Sequence, residues 1–216
     1  MNLSIISWII YDIGNTLFNA GITGLFFPLW VITKLNGTDA TVGYTLAIGL
    51  LATLIISPII GAVSDQAKTR KVFLGISTIL CGLSTTLIGH PTIIVSLLSF
   101  GLAVTTLHIG DIFYNSMLKD VSSKKNIGFI GGIGAGIGYL GAIMAILIGL
   151  FIIEDQGYPL GFIIMGILII IFGIPILFYL KEKPNKKQNR YIKISTNIMT
   201  KSEMKKLRLM KVLDYN

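Results

Sequence analysis

Two rows of polar residues interrupt otherwise apolar stretches of this chain. Asp12, Asn15, Thr16, Asn19 and Thr23 recur in steps of 3 and 4, and so do Gly101, Thr105, His108, Asp111 and Asn115. That spacing gathers each row on one face of a helix. Carboxylates, carboxamides and an imidazole so arranged can bind a polar solute or line a water-filled cavity. Equally, they can hydrogen-bond helix to helix and hold a bundle together. His108 stands one turn from Asp111. The pair admits a proton relay, although a histidine bonded to its own helix neighbour is the commoner arrangement. The only histidines are His90 and His108, and no metal-ligand spacing or nucleophile–base constellation is present, so neither a metal nor a cofactor is expected. An intramembrane enzyme would have only the His108–Asp111 pair in its favour.

The elements that must hold these rows follow from composition. Of the 216 residues, 53% are apolar and 13% charged, about half the charge of an ordinary soluble domain. Apolar runs extend over about 7–33, 42–64, 72–89, 92–116, 127–153 and 159–180. Each approaches or exceeds the ~18 residues that mark a membrane helix. The runs lack period-2 alternation and are too long for barrel strands. An all-α integral membrane protein with six transmembrane helices is therefore expected. The N-terminus has no basic region, and its apolar run outlasts a signal-peptide core, so it reads as a retained span. Cys81, alone in an apolar run, reads as a small buried or lipid-facing residue and excludes an intrachain disulfide.

Charge sets the orientation. The chain carries a net +8, and of its 18 Lys and Arg only Lys34 falls in the loops that alternate with the basic ones. Lys68, Arg70 and Lys71 lie in one loop, Lys119, Lys124 and Lys125 in the next of that set, and the remaining eleven after residue 180. The positive-inside rule places the basic side, with both termini, in the cytoplasm, and the cell membrane is the expected location. A charge at membrane depth costs about 3 kcal/mol on insertion scales and should face protein or water. At 1.5 Å per residue, Asp12 and Asp111 both lie roughly 8–9 Å inside the cytoplasmic end. One polar region is expected to include both.

Small residues mark packing faces. Gly128, Gly132 and Gly136 repeat at i+4, as do Gly134 and Gly138, and Thr45, Gly49, Thr53, Ser57 and Gly61 form a comparable row. Such rows let helix backbones approach closely in lipid. Spans 3 and 6 are blander and are expected to face lipid. Gly136-Ile-Gly138-Tyr-Leu-Gly141 matches a dinucleotide-binding fingerprint, but no strand precedes it, so no nucleotide site is expected. After Lys181, Met204, Leu207, Met210 and Leu213 recur at i+3 among basic residues. The tail 181–216 is thus expected to carry a short amphipathic helix attracted to anionic lipid heads, in preference to nucleic acid.

Three segments carry a family resemblance over roughly residues 5–145. Gly61-Ala-Val-Ser64-Asp65-Gln-Ala-Lys68-Thr69-Arg70-Lys71 resembles the signature loop of the major facilitator superfamily, G-x-x-x-D-x-x-G-R-R-K, with Lys68 and Thr69 as departures. Trp8-Ile-Ile-Tyr11-Asp12-Ile-Gly-Asn15-Thr16 is similar to the W-x-x-Y-D-x-x-N-[ST] opening of the autophagy-related vacuolar amino-acid effluxer branch and its prokaryotic relatives. Phe113-Tyr114-Asn115-Ser-Met-Leu118-Lys-Asp120, followed by Gly138-Tyr139-Leu140-Gly141, resembles the same branch.

The resemblance implies the N-terminal six-helix half of a transporter built from twelve. Spans 1 and 4 would line the pathway of a small polar solute, such as an amino acid, through Asp12, Asn15, Asn19, His108, Asp111 and Asn115. Spans 2 and 5 would meet the second half. Gly61, Asp65, Arg70 and Lys71 would form a cytoplasmic gate loop, with Asp65 at a helix N-terminus of the other half and Arg70 tied to neighbouring carboxylates; the plainer role of Arg70 and Lys71 is topology-setting charge. Gly128, Gly132, Gly136 and Gly138 would serve helix packing. The second half would be a second copy, a separate chain or a missing C-terminal stretch, the last being favoured. The rival reading is a non-transporting interaction module or a remnant of a longer permease.

Overall fold

A computed structural model describes residues 2–66 and 69–182, the side chains of 63–66 apart. Six helical rods make up the described residues, with no strand among them. They are α1 (Leu3–Lys34), α2 (Asp39–Gln66), α3 (Lys71–Leu87), α4 (Ile93–Val121), α5 (Ile127–Gln156) and α6 (Tyr158–Tyr179). Five are long and apolar enough to cross a membrane; α3, at 17 residues, is shorter. The tail from residue 183 and the Asp65 side chain, both singled out in the sequence, lie outside the described residues.

Local chemistry explains where the rods begin, bend and stop. After α1, Asn36 takes a left-handed φ of 53°, a conformation that asparagine tolerates. Gly37 then closes the turn with a bond from its N–H to the Val31 carbonyl. Thr38 and Thr41 exchange side-chain and backbone hydrogen bonds and so cap α2 reciprocally. A single residue, Gly157, separates α5 from α6. Its φ of 88° suits glycine, and Pro159 opens the next helix. Inside α1, Leu17–Phe26 widens into π-helical geometry. Pro28, just beyond, cannot donate to the preceding turn, which favours such a change of hydrogen-bond register.

Successive rods run antiparallel, and the packing is selective. α1 lies against α5 and α6, α3 against α4 and α6, and α2 mainly against α4. α2 is the least covered, with 6% of its apolar window buried. Helices α3 and α6, expected to be bland and lipid-facing, each bury a face that includes small residues. The α3 face contains Gly75, Ser77, Thr78, Gly82, Ser84 and Thr85. A Cβ at Gly82 would meet the Gly166 carbonyl at 2.7 Å, and one at Gly166 would meet the Gly82 carbonyl at 2.5 Å. The two backbones touch there because neither residue has a side chain.

The glycine-rich α5 divides into two faces. Gly134, Gly138 and Gly141 meet α1 at Trp8, Asp12 and the Ile13–Leu17 backbone, respectively. Gly128, Gly132 and Gly136, expected to pack, instead have open space around them, as does Gly61 on α2. The α5 packing within this chain is therefore made by the row containing Gly138. The helical screw turns the other i+4 row outward.

Apolar side chains gather in two cores stacked along the bundle. One includes Phe18, Phe27, Trp30, Phe100 and Phe162; the other includes Trp8, Tyr11, Leu74, Phe113, Tyr114 and Met117. Trp8 and Tyr114 stack at 4.5 Å between centroids and Tyr11 stacks on Tyr114 at 4.7 Å, contacts worth about 1 kcal/mol each beyond their area. Asp12, Asn15, His108 and Asp111 fall between the stretches of α1 and α4 that supply these cores.

Candidate functional site

Each polar row is placed by the apolar residues around it. Trp8, Tyr11 and Leu17 are buried on α1, so the intervening Asp12, Asn15 and Thr16 lie on a half-covered flank. Leu107, Phe113 and Tyr114 do the same for His108 and Asp111 on α4. The two flanks meet. Asn15 donates from Nδ2 to Asp111 Oδ1 at 3.0 Å, and His108 Nδ1 lies 3.3 Å from Asp111 Oδ2. Asn19 extends the row by donating to the carbonyl and Oδ1 of Asn15 at 3.1 and 3.2 Å. Of the expected pathway residues, Asn115 is exposed and stands apart from this network.

Asp12 is held differently from Asp111. Its carboxylate rests against Gly138 of α5, where a Cβ would come 2.5 Å from Oδ2. The Tyr114 hydroxyl faces it yet makes no hydrogen bond of full geometry. Among the described residues, no Lys or Arg pairs with Asp12 or Asp111. Thr78 Oγ1 lies 3.3 Å from the Tyr11 hydroxyl behind this region. Tyr11, Tyr114 and Thr78 were not singled out as pathway residues. The Trp8-x-x-Tyr11-Asp12 and Phe113-Tyr114 motifs were the signal for the two tyrosines, and no motif marked Thr78.

Two of the four expected gate-loop residues, Arg70 and Lys71, belong to a second cluster, at the end where α3 begins and α4 and α6 finish. Arg70 pairs with Asp120 at 2.5 Å and lies 3.7 Å from Glu182, and its Nη1 donates to Ser116 Oγ at 3.3 Å. Glu182 also accepts from the backbone N–H groups of Arg70 and Lys71 at 2.9 and 2.8 Å, and from the Thr69 hydroxyl. It thereby places a carboxylate at the start of α3, where unpaired N–H groups and the helix dipole favour one. Lys71 complements this by donating to the Leu177 and Leu180 carbonyls at the end of α6. Glu182 was not anticipated. Nothing in its spacing from residue 70 announces the contact, which depends on α6 returning to that end.

Apolar antiparallel rods around a half-open polar flank define a multi-pass membrane protein, and the likeness to known chains makes this specific. The family model described as Major Facilitator Superfamily matches residues 14–213. The chain belongs to that family of membrane transporters. It is 24% identical over 229 aligned positions to a Bacillus subtilis (strain 168) protein named "Uncharacterized MFS-type transporter YxiO", covering 96% of this chain and 53% of the relative. It is also 27% identical over 179 residues to an "Uncharacterized protein" of Aquifex aeolicus (strain VF5), covering 82% of this chain and 45% of the relative. The chain thus spans about half the length of the curated relatives it matches.

Proposed function

We propose that this chain forms six membrane spans with both termini in the cytoplasm and works as one half of a secondary transporter in the cell membrane. α3 supplies the sixth span, extended by the residues around it. The solute is small and polar, and amino acids are the class that the effluxer resemblance implies. The observation that carries this reading is the Asn15–Asp111–His108 network, which joins α1 to α4 between two apolar cores and is open on one side. Polar groups so expensive to insert are kept where they face a solute path. A second six-helix half closes that side, and alternate rocking of the halves exposes the network to either face of the membrane. The outward row Gly128, Gly132 and Gly136 of α5, with Gly61 of α2, offers the close-packing surface for it. The Arg70–Asp120–Glu182 cluster ties the helix ends beneath the path, and its rearrangement accompanies opening to the cytoplasm.

Uptake of radiolabelled amino acids and other small polar solutes into vesicles, with the second half present, tests the reading. Asp111→Asn is expected to abolish flux while membrane insertion is unchanged. Undiminished uptake in that variant would count decisively against the pathway.

A further inference from the structure

We propose that the outer groove between α3 and α6 is a binding site for an anionic phospholipid, with an acyl chain in the groove and the phosphate at the Lys71 ammonium.

The groove has a volume of about 450 Å³ and is lined by Val72, Gly75, Ile76 and Ile79 of α3 and Leu177 of α6, with Lys71 at one end. Val72, Ile76 and Ile79 follow one another in steps of 4 and 3 and so form a single stripe along α3. They are 54%, 52% and 45% exposed, although each is apolar. From Lys71 to Ile79 the stripe runs about 12 Å at 1.5 Å per residue. That is most of the ~15 Å that one leaflet contributes to the hydrocarbon. Gly75 contributes no side chain, and Leu177 of α6 takes that space: a Cβ at Gly75 would come 2.9 Å from Leu177 Cδ2. The groove is thus built by the contact of two helices and not by the surface of one.

Charge complements the apolar lining at its mouth. Lys71 Nζ donates to the Leu177 and Leu180 carbonyls at 3.2 and 2.9 Å, which uses two of the three donors that an ammonium carries. No carboxylate among the described residues pairs with it. Asp120 and Glu182 are engaged by Arg70, and Glu182 also by the backbone N–H groups that open α3. Lys181, which follows Leu180, is exposed. Arg70, Lys71 and Lys181 therefore outnumber the two carboxylates at this end. A half-buried cation with a spare donor, set at the mouth of an apolar groove, matches a molecule that is anionic at one end and hydrocarbon at the other. Free phosphate would leave the groove unused. A zwitterionic lipid would bring a further cation to an end that already has an excess. A lipid seated here reinforces the α3–α6 junction that Lys71 already ties.

Photocrosslinking of the purified full chain in phosphatidylcholine liposomes tests this, with phosphatidylglycerol bearing a diazirine in one acyl chain as the probe. The label is expected on α3 and α6, and unlabelled phosphatidylglycerol should compete it away. Lys71→Gln is expected to weaken capture about fivefold, through loss of one cation facing an anionic headgroup. Val72→Trp fills the groove and should remove the label. Val72 is 54% exposed, so the larger side chain leaves the bundle intact and guards against misfolding of the Lys71 variant. Ile143→Trp, at a 52% exposed position of α5, is the matched control and should keep the label. Equal capture of a diazirine phosphatidylcholine would overturn the proposal by showing ordinary surface lipid. Undiminished labelling in Val72→Trp would overturn it as well. So would competition by glycerol phosphate in the buffer, which would assign free phosphate, or labelling confined to residues 183–216, which would place the lipid on the tail alone. The measurement needs neither a second half nor solute flux. A chain that holds the lipid in this groove and moves no solute would refute transport alone.

Discussion

The described residues hold two charged clusters, and they are built on opposite principles. At the end where α3 begins, Arg70 and Lys71 balance Asp120 and Glu182, while Glu182 and Lys71 satisfy the facing ends of α3 and α6. Along α1 and α4, Asp12 and Asp111 stand in one polar region, and no Lys or Arg among the described residues pairs with them. The first cluster has its charges matched and joins three helix ends. The second is held together by amides, an imidazole and glycine-made space, with its charge unmatched. Buried charge contributes to stability only when its partner is present. The first cluster should therefore resist change for structural reasons, and the second should tolerate neutralisation structurally while losing its chemistry.

The contrast can be broken most forcefully at Arg70. Arg70→Met removes the guanidinium that pairs with Asp120 and Glu182, whose side chains are 8% and 12% exposed. A loss of about 3 kcal/mol is expected, read as a fall in the thermal or denaturant midpoint of the detergent-solubilised protein. A midpoint within error of wild type would show that the cluster is not structural. Gly138→Ala comes next. Its methyl would meet Asp12 Oδ2 at 2.5 Å and Thr16 Oγ1 at 3.0 Å, so about 1–2 kcal/mol should be lost by overpacking. Gly132→Ala, with open space at the same helix, is the matched control and should change the midpoint by less than about 0.5 kcal/mol. Equal effects of the two alanines would undo the division of α5 into two faces.

Smaller shifts sharpen the comparison. Glu182→Gln keeps a hydrogen-bonding oxygen at the start of α3 but removes the charge that complements Arg70 and the helix dipole. A loss of about 1 kcal/mol is expected, diminishing as salt is added to the unfolding assay. Asp12→Asn should move the midpoint least. Removing an uncompensated charge from membrane depth is neutral or stabilising by up to about 1 kcal/mol. A destabilisation as large as that of Arg70→Met would place Asp12 in the structural class.

The two clusters also differ in how far they could be read in advance. Asp12, Asn15, His108 and Asp111 were legible because a charge in an apolar run is conspicuous and because helical periodicity assigns its face. Their meeting across α1 and α4 followed from equal depth in antiparallel helices. The other cluster was legible only in part. Arg70 stood out through its motif, whereas Glu182 is an ordinary charge beyond an apolar run. The α3–α6 contact was missed for a different reason. Gly75, Gly82 and Gly89, like Gly166 and Gly173, repeat every seven residues, a weaker cue than the i+4 rows of α5. Those i+4 rows in turn did not reveal which of them meets α1.

What the chain determined by itself is whatever water and hydrocarbon impose on one segment at a time. Apolar length marks the helices, their period assigns the polar faces, and Gly157 with Pro159 sets the turn between α5 and α6. The choice of neighbours was decided only in three dimensions. Hydropathy says that a face must avoid water, but lipid and a second helix satisfy that demand equally. The selection then falls to shape: Gly138 admits the Asp12 carboxylate, Gly82 admits the Gly166 backbone, and the end of α6 brings Glu182 to Arg70. These fits depend on gaps between elements far apart in the chain, which no single segment specifies.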